Sequence, residues 1–184
     1  YTYYPNGQIK KEANRLQGKF TEWYENGQIK LVGNFKNDLK DGLINEWYEN
    51  GQIKIEANLK NNLKDGLITV WYESGQIRAE GSYQKGKPNG KYTNWFENGQ
   101  IKQTGNYKED KLDGKVTSWY ESGQIKEEGN FKNGIKYGHW TFWTKDGQIY
   151  KEEYLISEQE ARIVSEKEAL KAKAKKVMAE VQRK

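Results

Sequence analysis

The triplet Gly-Gln-Ile recurs seven times along this 184-residue chain, with its glycine at Gly7, Gly27, Gly51, Gly75, Gly99, Gly123 and Gly147. After a first step of 20 residues, every step is 24. A second glycine keeps the same step through Gly18, Gly42, Gly66, Gly90, Gly114 and Gly138, so the first unit is shortened by four residues between Gly7 and Gly18. Trp23, Trp47, Trp71, Trp95, Trp119 and Trp143 hold the beat as well. The other glycines fill two further registers: Gly33, Gly81, Gly105 and Gly129, with Ala13 and Ala57 in sister copies, and Gly86 with Gly134. All nineteen glycines therefore belong to the repeat, and none is left over for a phosphate-binding loop. A short fixed period of this kind means one supersecondary unit stacked on copies of itself.

The unit reads as a β-hairpin. Asn-Gly, Ser-Gly or Asp-Gly stands between two short β-prone runs, a strong turn signal. Thr21, Thr69, Thr93, Thr117 and Thr141 suit strands because their branched Cβ favours the extended backbone. Polar stretches such as Lys36 to Asp41 are expected to loop the chain back to the next hairpin. The expected product is an all-β, single-layer antiparallel meander of about 13 strands, near 60 Å long at about 4.8 Å per strand. Turn chemistry sets the faces. A two-residue type I′ turn on Asn26-Gly27 would oppose Trp23 to Lys30, while a three-residue loop with a glycine bulge would oppose it to Ile29. Ser74 and Ser122 replace the asparagine in two copies, and serine resists the positive φ that type I′ demands there, which favours the bulge. That register predicts Trp23, Ile29, Gly33 and Phe35 on one face, with the indole lying on the glycine. Phe20, Tyr24, Gln28, Lys30 and Val32 are then predicted opposite.

Composition narrows the function. Apolar residues are 34% and charged residues 31%, too polar for a large enclosed core, yet aromatics reach 14%, too many for a disordered polar tract. No apolar run is long enough to cross a membrane as a helix. Without cysteine and with one histidine, His139, there is no thiol nucleophile, no thiolate metal site and little acid–base chemistry. An enzyme is not expected, and neither a cofactor nor a metal is implied. The net charge of +5 falls to +2 outside the last 28 residues (23 bases, 21 acids), a mixed surface that does not point to nucleic acid.

The run Trp23-Tyr24-Glu25-Asn26-Gly27-Gln28-Ile29-Lys30, closed by Gly33-Asn34-Phe35-Lys36-Asn37 and Asp41-Gly42, resembles the bacterial variant of the MORN repeat over about residues 1–150. The resemblance implies a sheet of stacked hairpins acting as a scaffold or recognition surface. It also implies an antitoxin-like role of the kind attached to bacterial members, without naming any functional residue.

Two ladders are the candidate partner surface. Tyr24, Tyr48, Tyr72, Phe96 and Tyr120 form an aromatic row with phenols expected to face water. Lys30, Lys54, Arg78, Lys102 and Lys126, with Lys10 before them, form a basic row at about 9.6 Å intervals, two strands apart. The bland reading of the basic row is cross-neutralisation by Glu25, Glu49, Glu73, Glu97 and Glu121. A protein is the expected partner. A glycan or choline group on the aromatic row is the rival, and an anionic lipid surface on the basic row is disfavoured. The pairs Asp38/Asp41 and Asp110/Asp113 offer too few oxygens for calcium and read as turn chemistry.

The ends differ from the middle. The chain starts at Tyr1, without Met and in mid-strand, so a removed targeting segment or further upstream sequence is expected. An envelope-associated or secreted location is favoured over the cytoplasm. Residues 1–156 are assigned to the hairpin array and 157–184 to a C-terminal α-helix, which opens on a capping box at Ser157 and Glu160. The last repeat turns unusually apolar at Trp140, Phe142 and Tyr150, and the helix carries a stripe that includes Ile163, Leu170 and Val177. Docking of that stripe on the aromatic end is predicted, since repeat arrays are usually capped. Self-association through the helix is the competing expectation.

Overall fold

The computed structural model describes residues 1–14, 17–156, 166–167, 170–175 and 178. The strands are β1 (Thr2–Tyr3), β2 (Ile9–Asn14), β3 (Lys19–Trp23), β4 (Ile29–Lys36), β5 (Leu39–Lys40), β6 (Gly42–Trp47), β7 (Ile53–Lys60) and β8 (Leu63–Trp71). They continue as β9 (Ile77–Gln84), β10 (Lys87–Trp95), β11 (Ile101–Lys108), β12 (Lys111–Leu112), β13 (Gly114–Trp119), β14 (Ile125–Lys132), β15 (Ile135–Trp143) and β16 (Ile149–Leu155). All belong to one open antiparallel meander in chain order, with β5 and β12 as short spurs on β4 and β11. The sheet thus has fourteen strand positions. Among the described residues of the tail, 166–167, 170–175 and 178 are helical.

Two kinds of turn alternate. At the Glu-Asn-Gly turn, the Tyr24 N–H donates to the Gln28 carbonyl at 2.8 Å and the Gly27 N–H to the Tyr24 carbonyl at 3.0 Å. Gly27 sits at φ 87°, so this is the three-residue loop with a glycine bulge, and it recurs in each copy. The polar return loops are tighter than expected. They are two-residue turns with both residues at positive φ, such as Asn37 and Asp38 at 51° and 60°, and Asn133 and Gly134 at 51° and 83°. Asparagine and aspartate tolerate this region, and glycine meets no Cβ penalty there.

The face assignment needs correction. Trp23 does oppose Ile29, but Glu22 opposes Leu31, so a bulge leaves Lys30 over between them. One extra residue exchanges the faces beyond it. Gly33 consequently lies under Phe20, not Trp23: a Cβ built on Gly33 would stand 2.6 Å from Phe20 Cζ. Phe20, Leu31, Gly33 and Phe35 share one face, whereas Thr21, Trp23, Val32 and Asn34 share the other.

The first of these faces holds the core. Phe20, Ile44, Ile68, Val116 and Trp140 are buried to 7% exposure or less, all in one repeat register, with Tyr92 completing the row. Phe35 packs on Phe20 at 4.7 Å between centroids, Tyr107 on Tyr92 at 5.0 Å, and Phe131 edge-on against Trp140 at 5.3 Å. Each such side chain contributes roughly 1.5–3 kcal/mol of burial. Two aromatic or aliphatic rows crossing the sheet thus replace a conventional interior.

At the C-terminal end, Trp140 finds its partners within the sheet. It lies over Gly129, against Phe131 and Phe142, with Lys136 Nζ 3.8 Å from the ring centroid. Phe142 is half-buried and Tyr150 is 61% exposed. Leu170, expected to dock here, is 65% exposed. Ile163 and Val177 lie outside the described residues.

Candidate functional site

The aromatic and basic ladders meet on the core-bearing face, beside the glycine-bulge turns. Each tyrosine immediately precedes a turn, and its ring is half-buried. The phenols do not point to water. Tyr24 donates to the Trp47 carbonyl at 2.7 Å, Tyr48 to Trp71 at 2.7 Å, Tyr72 to Trp95 at 2.8 Å and Tyr120 to Trp143 at 2.8 Å. Every bond reaches the next repeat, so the row is a set of staples between hairpins. Burial raises the Tyr24 pKa above its ordinary value, in keeping with a hydroxyl held protonated.

The lysines lie over these rings. Lys30 Nζ is 5.4 Å from the Tyr24 centroid, Lys54 5.6 Å from Tyr48, Lys102 5.5 Å from Phe96 and Lys126 6.0 Å from Tyr120. Such contacts are cation–π in geometry. Arg78 occupies the same register and is exposed. Lys54 alone of this row forms an ion pair among the described residues, with Glu46 at 2.6 Å, and that hydrogen bond raises its pKa. Glu25, Glu49, Glu73, Glu97 and Glu121 do not pair with the ladder. Their backbone serves the turns instead, as where Asn26 Nδ2 donates to the Glu49 carbonyl and Asn98 Nδ2 to that of Glu121.

A floor runs between the ladders and the core row. Cross-strand partners follow one another without a gap: Glu22, Leu31, Glu46, Ile55, Val70, Ala79, Asn94, Gln103, Ser118, Glu127, Phe142 and Lys151. A groove of about 650 Å³ opens on it at Asn94, Gln103 and Ser118, walled by Phe96 and Tyr120. Here the staple is missing, because Phe96 has no hydroxyl to offer the Trp119 carbonyl. The periodicity of the sequence placed the ladders; the floor escaped it, since its residues share no chemistry from copy to copy.

The acidic pairs of the return turns serve local structure. Asp41 accepts the Asn61 N–H at 3.2 Å, and Asp113 pairs with Lys132 at 3.1 Å, which holds its carboxyl below the usual range. Among the described residues no cluster of three or more His, Asp or Glu is arranged for a metal, and no helix is long and apolar enough to cross a membrane.

The geometry defines a class: a one-layer stacked-hairpin array whose side-chain rows are spent on joining repeats and on presenting a long periodic surface. The MORN repeat variant model matches residues 1–15, 16–37, 40–61, 64–85, 88–109 and 112–133, and the chain belongs to that family. Repeats of this family are binding and scaffold modules without enzymatic activity of their own. No curated protein matches the chain.

Proposed function

We propose that this protein is a non-catalytic scaffold that binds another protein through the face carrying the tyrosine and lysine ladders. The observation behind this reading is a row of cations at repeat spacing, of which Lys30, Arg78, Lys102 and Lys126 make no ion pair among the described residues. A narrower proposal is an antitoxin-like part, in which the captured protein arrests growth when expressed alone and this chain reverses the arrest. The glycan reading is weaker, because lysines cover one side of the rings and the phenols are already bonded.

The test is cross-linking capture by the full chain, beside a variant with Lys30, Lys54, Arg78, Lys102 and Lys126 all changed to serine. Loss of a reproducible partner from the variant, with its circular dichroism unchanged, supports the proposal. Saturable binding to a glycan array without any protein partner overturns it. So does salt-sensitive sedimentation with anionic liposomes as the sole binding.

A further inference from the structure

The floor pair in the fourth complete repeat differs from its sister pairs. Asn94 and Gln103 are direct cross-strand partners, both half-buried, and among the described residues neither carboxamide has a hydrogen-bond partner. Elsewhere the polar member of the pair is satisfied. Glu22 is paired with Lys11 at 2.8 Å, Glu46 with Lys54 at 2.6 Å, and Ser118 donates to Glu127 at 3.3 Å. One repeat earlier, the same two places hold Val70 and Ala79 in the same register. The fold therefore has no need of amides here, and the hydrogen-bonding capacity of the two side chains is not used within the described residues. Positions that break a local rule without structural gain are where function is expected.

The surroundings narrow the occupant. A carboxamide offers a donor and an acceptor side by side, matching the C=O and N–H of a peptide unit. At the rim stand Lys102, Lys126 and Lys145, which make no ion pair among the described residues, against Glu121 and Glu127. Glu127 is already engaged by Ser118 and Lys136, so the uncompensated charge is positive. The groove is part-open to solvent, which suits a chain segment lying on it better than a small enclosed molecule.

We propose that the groove floored by Asn94, Gln103 and Ser118 seats an extended, acidic peptide segment of a partner protein. This deepens the scaffold reading and rests on it. The segment's main chain bonds the two carboxamides, and its carboxylates face the three lysines.

The experiment pans a random dodecapeptide phage library on the immobilised full chain and measures resynthesised, fluorescein-labelled peptides by polarisation. Peptides rich in Asp and Glu are expected to be enriched. The double variant Asn94→Val, Gln103→Ala, which copies the preceding repeat, is expected to weaken them at least tenfold while its melting temperature stays level or rises. Lys145→Glu, on an exposed turn, is expected to weaken them as well, and Glu22→Gln, in the first full copy, to change nothing. No enrichment over a blank surface overturns the proposal, as does unchanged affinity in the folded double variant. A glycan that binds the chain and is lost in that variant assigns the groove to a sugar instead. A cross-linked protein partner held equally by the chain and the double variant removes the groove proposal and leaves the scaffold reading standing.

Discussion

Gly129 lies directly beneath Trp140, where an added Cβ would meet the indole Cγ at 2.6 Å. At Gly81, in the same register, the nearest atom is Tyr92 Cβ at 3.4 Å. Neither glycine has positive φ, so space alone separates the two. Gly129→Ala is expected to cost about 1–3 kcal/mol, as overpacking does, and Gly81→Ala to stay within about 1 kcal/mol of neutral, both read from urea unfolding midpoints. Ala57 marks the limit, tolerated between Ile44 and Ile68 where no ring must lie flat. Tyr92 carries a pH signature. Burial, and secondarily Tyr107, push its hydroxyl up to about 12 from 10.0. The neutral phenol is favoured by folding, so its contribution is complete below pH 10 and is lost as pH rises from 10 to 12. Unfolding midpoints should fall across that window, and Tyr92→Phe should flatten the fall.

A hairpin in this array is fastened to the next by a phenol, and that single contact can be added or removed. Tyr72→Phe should cost about 1 kcal/mol by freeing the Trp95 carbonyl, while Phe96→Tyr should recover a similar amount by supplying Trp119. Thermal melts of the two variants, moving in opposite directions, check this. The staple could not be read from the sequence, because a backbone acceptor in another repeat has no residue signature. The hairpins could, since Gly27 and its equivalents need positive φ at a fixed place. The bulge opposite Glu22 and Trp23 was hidden for a different reason: the residue left over, Lys30, is chemically ordinary, and it alone decides that Phe20 and not Trp23 covers Gly33. Tyr24 and Lys30 lie together on one face, as their shared period implies, but the Asn94–Gln103 floor breaks that period and leaves no such trace in the sequence.

Across the whole molecule, strands contact chiefly those beside them in chain order. Stability is then close to a sum of units and junctions. Deleting residues 55–78, one period, should leave a cooperative transition with a urea slope reduced in proportion to the lost surface. Deleting residues 55–66, half a period, should destabilise the chain more than removing the whole period, because the strands on either side of the cut fall out of step. The same translational sameness poses a difficulty for recognition. A long ligand that met only the repeated tyrosines and lysines could settle at any copy, gaining a small degeneracy term and no defined position. Phe96, Asn94 and Gln103 end that equivalence: a preference of about 1.4 kcal/mol at one berth already concentrates occupancy tenfold. The irregular copy gives a ruler without markings its zero.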